Sequence, residues 1–112
     1  MTTERIAKTD WEDYFNRVTK SLEGLQATVE VAALDTGDQI EAERLTLLGV
    51  TYDPKDDLLE VALEGLDHLI RHPRDIHITL EDTGITSIAV VDGNDREQII
   101  RLSEPLLLPP PA

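Results

Sequence analysis

Cysteine is absent from this chain. That excludes disulfide staples, thiolate metal sites and cysteine nucleophiles together, so stability rests on packing and hydrogen bonds alone. Aromatic residues are scarce: one Trp, two Tyr and one Phe, 4% of the chain. The core must then be filled mainly by Leu, Ile, Val and Ala. The opening stretch MTTERIAKTDWEDYF has no apolar run of signal-peptide length, and no stretch reaches the ~18 apolar residues of a membrane span. The reading is a soluble, cytoplasmic protein with no membrane partner. Positive charge is also short, with 10 Lys and Arg against 23 Asp and Glu, a formal charge of −13. Such a balance opposes phosphate backbones and makes nucleic acid an unfavourable partner. The acids are scattered singly through strands and turns, which reads as a solvated surface.

Catalytic patterns are missing as well. There is no Gly-rich phosphate loop, no Gly-x-Ser-x-Gly elbow and no His-Glu-x-x-His. Ser21, Ser87 and Ser103 sit in no recognisable nucleophile setting. Paired carboxylates come with any acidic chain and carry little information. Asp53, Asp56 and Asp57, like Asp92, Asn94 and Asp95, could offer oxygens to Ca²⁺, but neither set has EF-hand spacing. Turns use the same residues to bond their own backbone. No catalytic residue and no cofactor are assigned, and His77 is read as a surface residue.

What the chain does contain is a single-domain pattern over residues 1–112, with 1–8 and 106–112 as peripheral tails. Thr9-Asp10-Trp11-Glu12 fits a capping box, with Asp10 an equal alternative as the cap. Trp11, Tyr14, Phe15, Val18 and Leu22 then form one apolar helical stripe, and Gly24 suits the left-handed position past its end. Leu25 to Leu34 alternates as a strand, and Asp35-Thr36-Gly37-Asp38 turns the chain. From Gln39 to Leu48 the apolar phase switches between Ala42 and Leu45, which predicts a bulge near Glu43-Arg44 or two strands joined by a kink. Further strands are expected over 75–81, 85–91 and 96–102, with Asp82-Thr83-Gly84 and Asp92-Gly93-Asn94-Asp95 as turns. The tail LLLPPPA combines three leucines with polyproline geometry. The fold class is α+β: an N-terminal amphipathic helix packed on a curved, mainly antiparallel sheet of about six strands, or that sheet folded over as a two-layer sandwich.

The stretch from Gly49 to Ile78 organises the rest. Tyr52 to Asp57 is a polar turn in which Asp53 and Pro54 favour chain reversal, and Leu59, Val61 and Leu63 alternate after it as a half-buried strand. Gly65 to Arg74 then carries Asp67, His68 and His72. Histidines four apart share a face on a helix, a spacing that suits a metal. Pro73 keeps His72 out of the right-handed helical region, so at most one helical turn fits. The other reading is an ordered loop in which Leu69 and Ile70 plug the core, His68 is buried and structural, and His72 and Arg74 are solvated.

The order of several motifs resembles a known family. Trp11-x-x-Tyr14-Phe15 is followed by Glu23-Gly24, Val29-Glu30-Val31 and Leu48-Gly49-Val50-Thr51-Tyr52-Asp53. Then come His68-Leu69-Ile70 with Pro73, Ile88 to Gly93, and Ile100-Arg101-Leu102 with Pro105. This is similar to domain-of-unknown-function family 5335, small bacterial proteins, from about Trp11 to Pro105. The resemblance implies a single-domain bacterial protein and brings no activity, cofactor or catalytic residue. The functional expectation from the residues is a non-catalytic binding or regulatory module acting through a protein contact. The alternatives are a metal protein or enzyme using Asp67, His68 and His72, and a structural homodimer.

Overall fold

The computed structural model describes residues 1–33, 37–82 and 84–108. The turn expected over 35–38 and the proline tail therefore lie partly outside the described residues, as does Thr83. The elements are β1 (Thr2–Ile6), a 3₁₀ turn (Lys8–Asp10), α1 (Trp11–Ser21), β2 (Gln26–Ala33), β3 (Gly37–Asp53), β4 (Leu58–Leu63), β5 (Leu66–Arg71), β6 (Asp75–Glu81), β7 (Gly84–Val91) and β8 (Glu97–Leu106). All pairings are antiparallel, in the order β1-β6-β7-β8-β2-β3-β4-β5. The α+β class and a helix on an antiparallel sheet are as expected, with eight strands among the described residues in place of about six.

The two additional strands come from segments read as irregular. Residues 2–6 form β1, an edge strand held by its pairing with β6, by the Arg5–Asp75 ion pair at 3.0 Å and by the Trp11 indole N–H donating to the Ile6 carbonyl at 2.9 Å. Residues 66–71 are not a loop but β5, hairpinned onto β4 through a two-residue turn at Glu64-Gly65.

Curvature follows from the connections. β5 ends the sheet and β6 lies second from its other end, yet only His72, Pro73 and Arg74 separate them in sequence. From Arg71 to Asp75 the chain spans ~14 Å at most, so the sheet must curl until its two halves face one another. β3 supplies the bend. Its first half pairs with β2 and its second half with β4, and within the first half, near its end, Arg44 adopts a left-handed φ of 52° beside register shifts against β2. The phase switch at Glu43-Arg44 is thus a bulge, as the sequence predicts.

Among the described residues the second half of β3 has β4 on one side and no strand on the other. The Thr19 hydroxyl fills that place: it donates to the Val50 carbonyl at 2.9 Å and accepts from the Val50 amide at 3.0 Å. An unpaired buried amide or carbonyl would cost ~1–3 kcal/mol, and one hydroxyl removes both costs. Such close approach is eased by a missing side chain. A Cβ on Gly49 would stand 3.2 Å from the Thr19 methyl. Trp11, Tyr14, Phe15 and Val18 are fully buried, so the amphipathic stripe is core, as its spacing implies. The expected capping box does not form: Asp10 is the cap residue and its side chain makes no capping bond, because the preceding 3₁₀ turn brings it in with helical dihedrals. Among the described residues the four aromatics are all buried, with Trp11 edge-on to Tyr52 at 5.1 Å, and aliphatic side chains fill the rest.

Candidate functional site: two histidines and a bare strand edge

β4 and β5 alternate strictly, so Ile70 and His68 sit opposite Leu59 and Val61 and face inward, while Asp67, Leu69 and Arg71 face outward. Asp67 and His68 therefore point to opposite sides of the sheet. His72 lies past the strand's end, about 13 Å of extended chain from His68. The strand geometry does not bring Asp67, His68 and His72 together. Among the described residues no cluster of three or more His, Asp or Glu side chains is placed to hold a metal ion.

Each histidine instead joins a separate aspartate. His68 is half-buried rather than largely buried, and its partner is a side chain rather than loop backbone. Its Nε2 lies 2.5 Å from the Gln98 Oε1, across the gap between the two halves of the sheet. The Gln98 Nε2 donates to the Asp92 Oδ2 at 2.8 Å. Gln98 can offer only its carbonyl oxygen to His68, so the imidazole carries its proton on Nε2. Asp92 is 2% exposed and Gln98 4%. The Asp92 Oδ1 accepts from the Asn94 amide at 2.8 Å and the Arg96 amide at 3.1 Å, and the Arg96 Nε approaches Oδ2 at 3.3 Å. Burial pushes the Asp92 carboxyl up. The bonds from Gln98, Asn94 and Arg96, with the Arg96 charge, outweigh it and hold the pKa below the ordinary carboxylate value.

His72 belongs to an open network. Its amide donates to the Asp57 carbonyl at 2.9 Å, and its Nδ1 lies 3.3 Å from the Asp57 Oδ2. The Tyr52 hydroxyl donates to the Asp57 Oδ1 at 2.7 Å, and the Lys8 Nζ stands 3.6 Å from the same oxygen. The Tyr52 bond, aided by His72 and Lys8 against the opposing effect of burial, lowers the Asp57 pKa. Burial, then the Asp57 bond and charge, pushes Tyr52 up to about 12. Asp57 and His72 both hold left-handed backbones, φ 49° and 53°. Pro73 bars the right-handed region as expected, but His72 takes the left-handed one rather than an extended one. The two networks meet at Gly93, where a Cβ would come within 3.0 Å of the His72 Cβ. An Arg74–Asp95 ion pair closes the same corner.

The oxygen-rich turns serve the backbone. The Asp53 Oδ1 accepts from the Lys55 amide at 2.9 Å, and Asp92 plays the same part in its own turn. Two clefts lie away from the histidines. One of about 320 Å³ is lined by Gln26, Thr28, Arg44, Arg101 and Ser103, and one of about 430 Å³ by Ser21, Glu23, Leu25 and Glu104 to Leu107. The Arg101 guanidinium is drawn to Glu30 at 3.8 Å.

The outer edge of β5 has a defined chemistry. Val50 turns its N–H and C=O away from β4, toward Thr19, so Val61 opposite it must turn toward β5. Val61 and His68 are then a hydrogen-bonded pair, as are Leu59 and Ile70. The backbone groups of Asp67, Leu69 and Arg71 consequently point away from the sheet. Among the described residues β5 pairs with β4 alone. Leu69 is 42% exposed and Leu66 38%.

A family profile described as "Family of unknown function (DUF5335)" matches residues 2–111. The chain belongs to that family. A protein of Aquifex aeolicus described as uncharacterized is similar at 43% identity over 110 residues, 97% of this chain and 99% of the relative. No solved structure matches. In this DUF5335 chain the motif residues occupy structural junctions: Trp11 and Tyr14 in the core, Gly49 beneath Thr19, His68 on Gln98, and Gly93 against His72. The sequence did not foretell that Gln98 links His68 to Asp92, because the residues come from three separate elements. The alternation of His68 with Ile70 was the one signal that pointed there.

Proposed function

We propose that this DUF5335 protein is a non-catalytic binding module that works through protein contacts, with the outer edge of β5 as the contact. The observation that carries the reading is that unpaired edge, with outward donors and acceptors on Asp67, Leu69 and Arg71 beside exposed leucines. Backbone groups of this kind add a strand from a partner, and side chains alternating along the edge select it. The other support comes from the polar networks. Both oxygens of Asp92, Gln98 and the Nε2 of His68 are already committed to bonds within the fold.

The test is photo-crosslinking in the native cell with a photoreactive residue at position 69, and at position 4 on β1 as control. Protein adducts at 69 and not at 4 are expected. Turnover of substrates by the purified protein, lost on His68→Ala or His72→Ala, would overturn the reading.

A further inference from the structure

We infer that the partner for the β5 edge is a second copy of this chain, added antiparallel about a two-fold axis at Leu69. The inference rests on the proposal that this edge makes the protein contact, and it adds the occupant and its register.

The sequence of the edge is self-complementary. Asp67, Leu69 and Arg71 all point outward in both backbone and side chain. In a two-fold antiparallel pairing centred on Leu69, Leu69 faces its own copy and each Asp67 faces the other copy's Arg71. Every outward N–H and C=O of the three residues then finds a partner, because residues directly opposite exchange both bonds at such positions. On the outer face the cross-strand pairs become one Leu–Leu contact flanked by two Asp–Arg pairs, and opposite charges facing one another favour pairing. A register shifted by two residues would place Leu69 against Asp67 in one direction or against Arg71 in the other, losing the charge match either way. A two-fold contact requires one patch to complement itself, and this patch does so.

The opposite edge of the sheet behaves differently. Thr2, Thr3, Glu4 and Arg5 of β1 are polar and exposed, the composition that blunts an edge. β5 instead sets an exposed leucine at the middle of its free side. The contact is small, and a whole-molecule charge of −13 on each copy repels the other, so the dimer is weak and low salt loosens it.

The experiment is sedimentation velocity with light scattering over a concentration series, on wild type and four variants. Wild type is expected to rise from 12.5 kDa toward twice that mass as concentration increases. Leu69→Pro removes an outward N–H without touching the bonds to β4 and is expected to abolish the rise. Asp67→Arg sets like charges opposite at both ends of the contact, and Arg71→Asp does the same with the other sign. Each is expected to weaken the dimer roughly tenfold. Asp67→Arg combined with Arg71→Asp restores the match in reverse and is expected to return to within about threefold of wild type. Far-ultraviolet circular dichroism confirms that each variant is folded.

A 12.5 kDa species up to the millimolar range would overturn the inference, as would a dimer indifferent to all four variants. If wild type is monomeric while position 69 crosslinks to a different protein in the cell, the second-copy inference falls and the binding reading stands. If it is monomeric and position 69 gives no protein adduct, both fall.

Discussion

Two aspartates anchor polar networks that meet at one corner of the molecule, and the protein treats them in opposite ways. Asp92 is enclosed: turn amides take one of its oxygens, Gln98 and Arg96 reach the other, and the chain of bonds runs on to His68. Asp57 lies in the open: Tyr52 bonds it from the core side, while exposed Lys8 and His72 reach it from the solvent side. The enclosed network ties the two faces of the curled sheet together, so its worth is set by desolvation. The open one closes a turn, and water can replace most of what it offers. Residue type does not make the difference, since each network joins an aspartate to a histidine. It follows from where each histidine falls: His68 within β5 and facing inward, His72 past the strand's end.

The largest expected effect breaks the enclosed side. Asp92→Ala strands the buried amide of Gln98 and the amides of its own turn, at a cost of about 3 kcal/mol in urea unfolding. Asp57→Ala is expected to cost about 1 kcal/mol, because solvent reaches its partners. Equal losses would erase the contrast.

Acid sharpens it. Both carboxyls are held below their ordinary values in the folded protein. Their contribution is therefore fully present above the unfolded value of ~3.9 and is lost as pH falls through the folded ones. Unfolding followed from neutral pH downward is expected to show an acid limb that flattens in Asp92→Asn more than in Asp57→Asn.

His68→Ala comes next, with an expected loss of about 1 kcal/mol from leaving the Gln98 carbonyl oxygen without its donor. His72→Ala is expected to change stability by less than about 0.5 kcal/mol, because its ring is exposed. Thermal melts of the pair rank them directly.

The two tyrosines carry the comparison to single hydroxyls. Tyr52 donates to Asp57, whereas the Tyr14 hydroxyl is buried with no hydrogen-bond partner among the described residues. Tyr52→Phe is expected to destabilise by about 1 kcal/mol, and Tyr14→Phe to leave stability unchanged or raise it by up to about 1 kcal/mol. Burial, eased by the nearby Arg17 charge, pushes Tyr14 up to about 12. Raised values such as these give stability that is complete below the unfolded pKa of ~10 and fades as pH climbs through the folded one. The alkaline limb is expected to start near pH 10 and to weaken in either phenylalanine variant.

The helix, the bulge and most strands were legible because each is written in local spacing. The stripe from Trp11 to Val18 and the phase switch at Glu43-Arg44 needed no partner to be seen. β1 was not legible, since Thr2 to Arg5 are polar and become a strand only by lying against β6. β5 was hidden for a related reason. Leu69 faces outward on a bare edge and breaks the alternation that His68 and Ile70 follow. The same residue that obscured the strand in the sequence marks the proposed contact. Asp92 was legible as a turn residue, and its link through Gln98 to His68 was not, because that contact depends on how far the sheet curls.

Thr19 gives the bend in β3 a kinetic meaning. The Val50 amide sits in the middle of a buried strand, yet it is closed by a side chain on the helix and not by a neighbouring strand. Its exchange with solvent deuterium does not have to wait for the sheet to come apart; undocking of α1 suffices. The amide of Val61 is paired instead toward His68 of β5, so its exchange waits on that strand leaving β4 and not on the helix. The two face one another across β3 and β4, and the difference in their protection reads out how firmly the helix is seated.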